Sequence, residues 1–357
     1  MKIEAKPLKF HCGTIMKNRF MLAPLTNTQS HENGVLSDAE FKWLTMRAQG
    51  GFGLVMTCAS HVQANGKGFP GQLGIFSDSH IEGHKRLANE LKLHGSLAVI
   101  QLHHAGMRAP KELINQQPVC PSINEKADAR ALTLNEIKTV ITAFIKAALR
   151  AKTSGYNGVE IHGAHGYLLC QFLSKETNKR TDIYGGSLEN RSRIIFEIVE
   201  GIRAACGSGF LIGIRLSPER FGMELIETKV IAQKLMDSKQ IDFLDMSLWD
   251  CFKLPEDSNY QDKSLLEHFT SLNFKDVKLT VAGKISSGND VSKILNSKVD
   301  FVTIGRSAIL HHDFPNRVLE DPNFQPHPLP VSQTYLKKER LSDAFISYMS
   351  KWPNFVK

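Results

Sequence analysis

The chain has 357 residues, of which 42% are hydrophobic and 22% are charged, and its formal net charge is +8. This composition supplies enough apolar side chains for a large core and excludes an intrinsically disordered chain. The lysines and arginines are scattered without a run of five, which is typical of a solvated surface and argues against nucleic-acid binding.

Short apolar runs alternate along the chain with amphipathic stretches, and this order predicts an α/β protein. Most runs are apolar throughout, as expected for parallel strands that are buried on both faces. In chain order the predicted strands are Arg19–Ala23, Gly53–Ala59, Leu97–Leu102, Gly158–His162, Phe210–Leu216, Phe243–Ser247, Lys278–Ala282 and Phe301–Gly305.

The segments between the strands carry helix start signals. The capping-box spacing, Ser or Thr followed three residues later by Glu, occurs at Ser37–Glu40, Ser79–Glu82 and Thr133–Glu136. After Thr133 the apolar residues recur at helical spacing up to Leu149, which predicts one buried helix face. They are Ile137, Val140, Ile141, Phe144, Ile145, Ala148 and Leu149. We expect residues 321–357 to pack outside the main body as a tail with one helix.

Eight strands with helices between them predict a (β/α)8 TIM barrel that forms a single domain over residues 1–357. A doubly wound sheet would use the same alternation of elements. The barrel is favoured by the number of strands and by the residues at the strand ends, because a barrel gathers those ends on one rim. These residues are Thr26, Gln101, His162, Arg215 and Gly305.

Two glycine-containing patterns are candidates for binding phosphate. The first, Gly66–Gly71, has the G-x-G-x-x-G spacing, but Pro70 interrupts it and no helix is predicted to follow directly, so we interpret it as a flexible loop. The second comprises Gly283 after strand seven and Gly305-Arg306 after strand eight, positions that frequently bind phosphate in such barrels. Ordinary tight turns are the alternative for these two positions.

Polar side chains in and after strands four and five are candidates for chemistry. Arg215 lies in an apolar strand, where its charge requires either a buried carboxylate or a bound anion, and the residues alone favour neither. His162, His165 and Tyr167 cluster at a strand exit. Three interpretations of the two histidines are open. They could bind zinc, although no third ligand is evident, or they could be core histidines bonded to the backbone. They could also donate hydrogen bonds to a substrate oxygen, with Tyr167 as the acid.

The remaining sequence features bear on location and on the other histidines. No apolar signal core opens the chain and no stretch approaches 18 apolar residues, so we expect no membrane span. The six cysteines include no C-x-x-C pair, which argues against iron–sulfur or structural zinc sites and fits the reducing cytoplasm. The pairs His103-His104 and His311-His312 are interpreted as loop residues.

Taken together, these motifs resemble those of the Old Yellow Enzyme family, the FMN-dependent ene-reductases. The similarity extends over about residues 5–320, and its most specific part is the segment Asn178–Arg191 beside the histidine pair. The other segments that carry it are Ala23–Thr26, Gln101–Gly106, His162–Tyr167, Phe172–Ser174, Gly283 and Ile304–Arg306.

The resemblance implies that FMN binds at the C-terminal mouth of the barrel. It assigns Thr26 to the O4/N5 side of the flavin, Gln101 to its pyrimidine edge and Arg215 to N1 and O2. It also implies that the flavin is lined by the backbone of Pro24 and Ala59 and that its phosphate is held by Gly283, Gly305 and Arg306.

The same resemblance implies the chemistry. His162 and His165 would bind the carbonyl or nitro oxygen of an electron-poor alkene, and Tyr167 would protonate the α-carbon after hydride moves from flavin N5 to the β-carbon. NADH or NADPH would reduce the flavin in the same pocket, so no separate dinucleotide-binding domain is expected. A redox protein with other acceptors, such as quinones, is one alternative, and a metal-dependent barrel hydrolase is a more distant one. Neither a metal nor a nucleic-acid partner is expected.

Two departures from the family pattern stand out. The glycine of the Gln101–Gly106 segment is usually followed by Arg, but here Met107 follows and Arg108 comes next. We therefore expect a change in loop geometry or in contacts near the flavin. The chain also combines Thr26 with two histidines at the substrate site, a mixture that leaves its subgroup open.

Overall fold

The computed structural model describes residues 4–357, and at its centre is a closed barrel of eight parallel strands. Consecutive strands in the chain are neighbours in the barrel, and β8 pairs with β1 to complete the ring. This closure confirms the predicted (β/α)8 barrel and excludes the doubly wound sheet. The strands are β1 Phe20–Leu22, β2 Leu54–His61, β3 Leu97–His103, β4 Gly158–Gly163, β5 Leu211–Leu216, β6 Phe243–Ser247, β7 Lys278–Ala282 and β8 Phe301–Ile304.

Helices follow the strands and pack around the barrel. Their bounds are α1 Asp38–Gln49, α2 Ile81–Leu93, α3 Lys111–Ile114, α4 Leu134–Thr153, α5 Leu168–Leu173, α6 Leu188–Cys206, α7 Leu225–Asp237, α8 Leu265–Thr270, α9 Gly288–Leu295, α10 Arg306–Leu310, α11 Phe314–Glu320, α12 Gln333–Lys338 and α13 Asp343–Met349. Two short β-pairs join Leu8–Lys9 to Ile15–Met16 and Val119–Cys120 to Arg130–Ala131. Within residues 4–357, none of the helices combines the length and apolarity that crossing a membrane requires.

The barrel interior is apolar at its N-terminal end and polar at its C-terminal end. The N-terminal hairpin places Phe10 against Phe243 and Phe301, with ring centroids 6.0 and 5.7 Å apart. Higher in the barrel, the hydroxyls of Thr280 and Thr303 hydrogen-bond at 2.8 Å. Because the apolar end is filled by aromatic and methionine side chains, groups that bind ligands are confined to the other end.

The helix start signals are correct at Thr133 and wrong at Ser79. Thr133 caps α4 in a capping box with Glu136. Before α2, however, Ser77 caps a 3₁₀ turn, and the backbone amide of Ser77 donates to the His80 side chain at 3.3 Å. His80 therefore fills the role in the capping box that was expected of Glu82. The buried face of α4 continues to Ala151 but does not include Leu149, which is 39% exposed.

The C-terminal tail contains two short helices, so the prediction of one helix is wrong. Arg340, with φ at +63°, ends α12 in the left-handed region, and α13 begins after it. The tail packs on α1. Arg47 is fully buried there, donates to the backbone carbonyl of Glu339 at 2.8 Å and lies 3.5 Å from the Glu339 carboxylate.

A buried histidine on α2 makes the stability of the fold pH-dependent. His84 bonds the Tyr156 hydroxyl at 3.0 Å, and burial lowers its pKa to about 4. Below pH ~6.5 the unfolded chain binds a proton at this position that the folded chain does not, so the free energy of unfolding falls as pH drops from ~6.5 towards 4. We expect His84→Gln to reduce this slope by roughly 1.4 kcal/mol per pH unit. Urea denaturation across this range measures the slope, and an unchanged slope would contradict the prediction.

Candidate active site

The motif that joins β4 to α5 forms the centre of the site. After Gly163 the backbone turns sharply, with φ at +61° for His165 and +70° for Gly166. A left-handed histidine is uncommon and is found mostly where function or surrounding packing requires it. Tyr167 is the N-cap residue of α5, so the turn presents two imidazoles and a phenol at the C-terminal end of the barrel.

The two imidazoles hydrogen-bond to each other. Nδ1 of His162 accepts from the Ala164 amide at 3.4 Å, so its Nε2 carries the hydrogen. That Nε2 donates to His165 Nδ1 at 3.1 Å, and Nε2 of His165 lies 2.8 Å from the Ser247 hydroxyl. Because His165 Nδ1 accepts, the hydrogen of His165 lies on Nε2 and is donated to Ser247, whose hydroxyl could itself donate if that hydrogen moved to Nδ1.

Both imidazoles are neutral. Burial lowers the pKa of His162 and of His165 well below the usual value, and the nearby Arg215 guanidinium lowers both further. A neutral imidazole still offers one N–H donor, so the pair can polarise an oxygen without carrying a net charge.

Tyr167 lies between a cation and a third histidine. The Arg108 guanidinium is 4.4 Å from the centre of its ring, and the His103 ring packs against it edge-on with centroids 4.4 Å apart. Burial raises the pKa of Tyr167, although Arg108 opposes the shift. The phenol is therefore protonated at neutral pH and can donate a proton.

The interpretation of His103 as a loop residue is wrong. It is the last residue of β3 and is fully buried. Its Nδ1 lies 3.1 Å from the Gln72 amide nitrogen, whereas its Nε2 is buried without a hydrogen-bond partner among the described residues. The signal in the sequence was the two-residue period of a strand, which places His103 on the same inward face as Gln101.

Met107 is followed by Arg108, and the side chain of this arginine lies at the site. Gly106–Arg108 forms a 3₁₀ turn, and Arg108 donates a hydrogen bond to the His165 carbonyl. The Arg108 guanidinium therefore contacts the turn between β4 and α5. The Met107 sulfur accepts from Asn124 Nδ2 at 3.5 Å.

Arg215 is paired with a buried carboxylate, which was one of the two possibilities that the sequence left open. Its Nε lies 3.1 Å from Asp245 Oδ2, but the approach is not aligned as a hydrogen bond and leaves Nε without one. Its Nη2 donates to the Ser247 hydroxyl at 3.4 Å. On β3, Gln101 Nε2 donates to Glu160 Oε1 at 2.6 Å. Sequence reasoning missed Glu160 and Asp245, although a carboxylate within an apolar strand was the available signal.

The other residues assigned to the flavin lie around the same mouth. Pro24 and Thr26 follow β1 and are half-buried. Ala59 lies in β2 just after a bulge and pairs in register with Gln101, while its carbonyl accepts from Gln72 Nε2 at 2.7 Å. The carbonyl of Ala59 therefore already has a partner within the protein.

The two glycine loops after β7 and β8 differ in the space that they leave. A Cβ at Gly283 would approach the backbone of residues 249–251 to 2.9–3.1 Å, so this glycine is required for loop packing. A Cβ at Gly305 would meet only Leu25, at 3.9 Å, and Arg306 beside it is exposed. The Gly66–Gly71 loop opens no helix, as predicted, and its first glycine packs on the His104 ring.

A zinc site at the histidine pair lacks support from the geometry. Within residues 4–357, no three His, Cys, Asp or Glu side chains lie together as a group that could hold a metal ion. The nitrogens of His162 and His165 that face each other are also joined by a hydrogen bond.

Comparison with known proteins identifies the family. The NADH:flavin oxidoreductase / NADH oxidase family matches residues 5–324. This chain belongs to that family. A probable NADH-dependent flavin oxidoreductase of Bacillus subtilis, YqiG, is 36% identical over 326 residues, covering 88% of this chain and 87% of the relative. An NADPH dehydrogenase of Bacillus cytotoxicus is 34% identical, with 87% of this chain and 90% of the relative covered.

Solved structures of the same family share the fold. An old yellow enzyme homologue from Zymomonas mobilis has a TM-score of 0.79 and 27% identity, covering 94% of this chain and 96% of that chain. Morphinone reductase in complex with tetrahydroNAD has a TM-score of 0.78 and 27% identity, with 93% of each chain covered. A 2-naphthoyl-CoA reductase complex with 2-naphthoyl-CoA has a TM-score of 0.80 and 29% identity over 88% of this chain and 52% of that one.

The protein is thus an FMN-dependent NAD(P)H oxidoreductase of the Old Yellow Enzyme family. Family membership confirms FMN as the cofactor and a nicotinamide nucleotide as hydride donor. The residues at the mouth fit such a ligand, because Arg215 Nε and His103 Nε2 are buried polar atoms without a hydrogen-bond partner in the described chain.

Proposed function

We propose that the protein reduces electron-poor alkenes, with hydride supplied by bound reduced FMN and the proton supplied by Tyr167. The observation that carries this proposal is the contact between a protonated phenol and a pair of neutral imidazoles at the barrel mouth, with the centroids of the Tyr167 and His162 rings 5.2 Å apart. An acid beside an oxygen-binding pair is what addition of hydride and a proton across a polarised double bond requires.

The histidine pair binds the substrate oxygen through an exchange of hydrogen bonds. A carbonyl or nitro oxygen that accepts from His162 Nε2 replaces the bond to His165. If the Ser247 hydroxyl then donates to His165 Nε2, the hydrogen of that imidazole moves to Nδ1 and provides a second donor to the same oxygen. Donors aimed at this oxygen stabilise the negative charge that develops as hydride reaches the β-carbon.

The flavin site follows from the positions around the mouth. We assign Thr26 to the O4/N5 side, Gln101 to the pyrimidine edge and Arg215 to the N1/O2 side, where reduced flavin carries negative charge. Pro24 and Ala59 line the isoalloxazine through their backbone. The phosphate is held at Gly283, Gly305 and Arg306, an assignment supported by the open space at Gly305 and the exposed guanidinium of Arg306.

The relatives support a substrate class rather than one compound. The complex of morphinone reductase with tetrahydroNAD supports binding of a nicotinamide nucleotide by this chain. The reductase that binds 2-naphthoyl-CoA supports conjugated, electron-poor acceptors. We also propose a cytoplasmic location, since all six cysteines are free thiols.

Anaerobic stopped-flow mixing tests the proposal. Enzyme reduced by NADH or NADPH should be reoxidised by an enone and a nitroalkene, and the yellow colour should return within a turnover. A quinone provides the comparison acceptor. Reoxidation by the quinone with no reaction of either alkene would replace this proposal with a quinone reductase.

A variant of the histidine pair tests its role. His162→Ala should retain FMN and bind p-chlorophenol about ten- to a hundredfold more weakly, because a hydrogen bond to a phenolate contributes about 1.5–3 kcal/mol. Titration of the long-wavelength charge-transfer band measures this affinity. His311→Ala is the matched control, since His311 is also a buried histidine and lies outside the mouth. Unchanged phenol affinity in His162→Ala would remove the pair from oxygen binding.

A further inference from the structure

Two carboxylates lie inside the barrel just below the proposed flavin site. Glu160 on β4 and Asp245 on β6 are both fully buried. On β5, which lies between β4 and β6, Arg215 is in register with Asp245, and the Phe243 ring fills the space beside Gly213. The two carboxyls lie within hydrogen-bonding reach of each other, so the interior contains two acidic groups and one arginine, Arg215, in direct contact.

The hydrogen bonding of the two carboxyls is incomplete unless one of them carries a proton. Glu160 Oε1 accepts from Gln101 Nε2 at 2.6 Å, but Glu160 Oε2 and both oxygens of Asp245 are buried without a hydrogen-bond partner among the described residues. Two carboxylates facing each other are acceptors only, so neither satisfies the other. One proton on Glu160 Oε2 converts this contact into a strong O–H···O⁻ bond.

The surrounding charges decide which group holds the proton. Burial raises the pKa of both carboxyls, and the charge of Asp245 raises that of Glu160 further. Arg215 lies 3.1 Å from Asp245, which favours the ionised form there. The other titratable groups facing the pair add no positive charge, because His162 and the Cys251 thiol are neutral.

We propose that Glu160 and Asp245 share one proton, carried by Glu160, and that this pair is a positioning site for the groups that contact the flavin. Glu160 orients the Gln101 amide and Asp245 orients the Arg215 guanidinium, so that a single hydrogen-bonded chain crosses β3 to β6. Its net charge is zero, one negative charge on Asp245 against one positive charge on Arg215. The positioning role rests on the proposed flavin position above Gln101 and Arg215, whereas the shared proton does not.

The reduction potential of the FMN-loaded protein separates a protonated Glu160 from an ionised one. Glu160→Gln keeps both hydrogen bonds, since its amide donates to Asp245 and accepts from Gln101, so we expect an unchanged potential at neutral pH. A shift to more positive potential in Glu160→Gln would mean that a negative charge had been removed, and it would overturn the proposal.

Glu160→Leu tests the positioning role, because it removes both hydrogen bonds. It should weaken the preference for reduced over oxidised FMN by about tenfold, or about 30 mV for a two-electron couple. An unchanged potential in Glu160→Leu would remove the positioning role.

Infrared spectroscopy tests the proton directly and needs neither an alkene nor turnover. The wild type should show the carbonyl stretch of a neutral carboxylic acid, shifted in D₂O and persisting from mildly acidic to mildly alkaline pH. Glu160→Gln should lose this band, while Glu40→Gln, a change at another buried glutamate far from Arg215, should retain it. Retention of every acid band in Glu160→Gln would overturn the proposal even if Glu160→Leu fails to fold. A protein that shows the band but reduces no alkene would contradict the proposed function alone.

Discussion

Replacement of Tyr167 by phenylalanine should slow the alkene half-reaction by about 10²–10⁴-fold, the range for loss of a general acid, and leave flavin reduction by NAD(P)H nearly intact. The substitution removes only the hydroxyl. The ring contacts with Arg108 and His103 are preserved, so the turn between β4 and α5 keeps its shape. Anaerobic stopped-flow measures the two half-reactions separately, through bleaching of the flavin by NADPH and its reoxidation by 2-cyclohexenone.

Tyr156→Phe is the matched control for this variant. The Tyr156 hydroxyl bonds His84 at 3.0 Å and lies just before β4, at the opposite end of the strand from the catalytic turn. This control should leave both half-reactions unchanged. Equal slowing of both half-reactions in Tyr167→Phe would remove Tyr167 from the role of acid and indicate a general disturbance of the flavin site.

Arg215→Gln should lower the free energy of unfolding by about 3–5 kcal/mol and weaken FMN binding. The loss of stability arises because Asp245 is left as a buried charge without its ionic partner. The loss of affinity arises because the cation assigned to the N1/O2 side of the flavin is removed. Denaturation with and without excess FMN measures both effects, since a ligand that binds the folded state stabilises it in proportion to the logarithm of its concentration over Kd.

A variant of a second ion pair distinguishes the loss of stability from the loss of FMN affinity. Arg203 Nη2 lies 2.8 Å from Asp242 Oδ2 at the N-terminal end of the barrel, away from the mouth. Arg203→Gln should therefore cost similar stability while retaining the full stabilisation by FMN. Adding Asp245→Asn to Arg215→Gln should recover part of the lost stability, because no unpaired charge remains. Full FMN stabilisation in Arg215→Gln would contradict the proposed flavin position.

The strand pattern was predictable because burial on both faces leaves a simple signature. Each predicted apolar run overlaps a barrel strand, and the strand count together with the polar residues at the strand ends favoured closure over an open sheet. Local substitutions of one hydrogen-bonding group for another were not predictable. His80 replaces the expected Glu82 before α2, and Arg340 splits the tail helix, because several residue types satisfy the same backbone groups.

The residues that carry the family resemblance were all found from the sequence, and those in or just after the strands lie at the C-terminal end of the barrel. The groups that hold them were not found. Glu160, Asp245 and His103 lie in strands whose apolar neighbours hide them, and Arg108 reaches Tyr167 only through the geometry of a short turn.

Sequence alone thus determined the fold class, the polar end of the barrel and the chemical types gathered there, because these depend on local periodicity and on the order of strands. Only the tertiary structure decided that His162 bonds His165, that Arg215 pairs with Asp245 and that Glu160 faces Asp245. The last two of these contacts join different strands, and the first depends on the left-handed turn at His165. Their energies depend on burial and on the number of partners available, which no local pattern specifies.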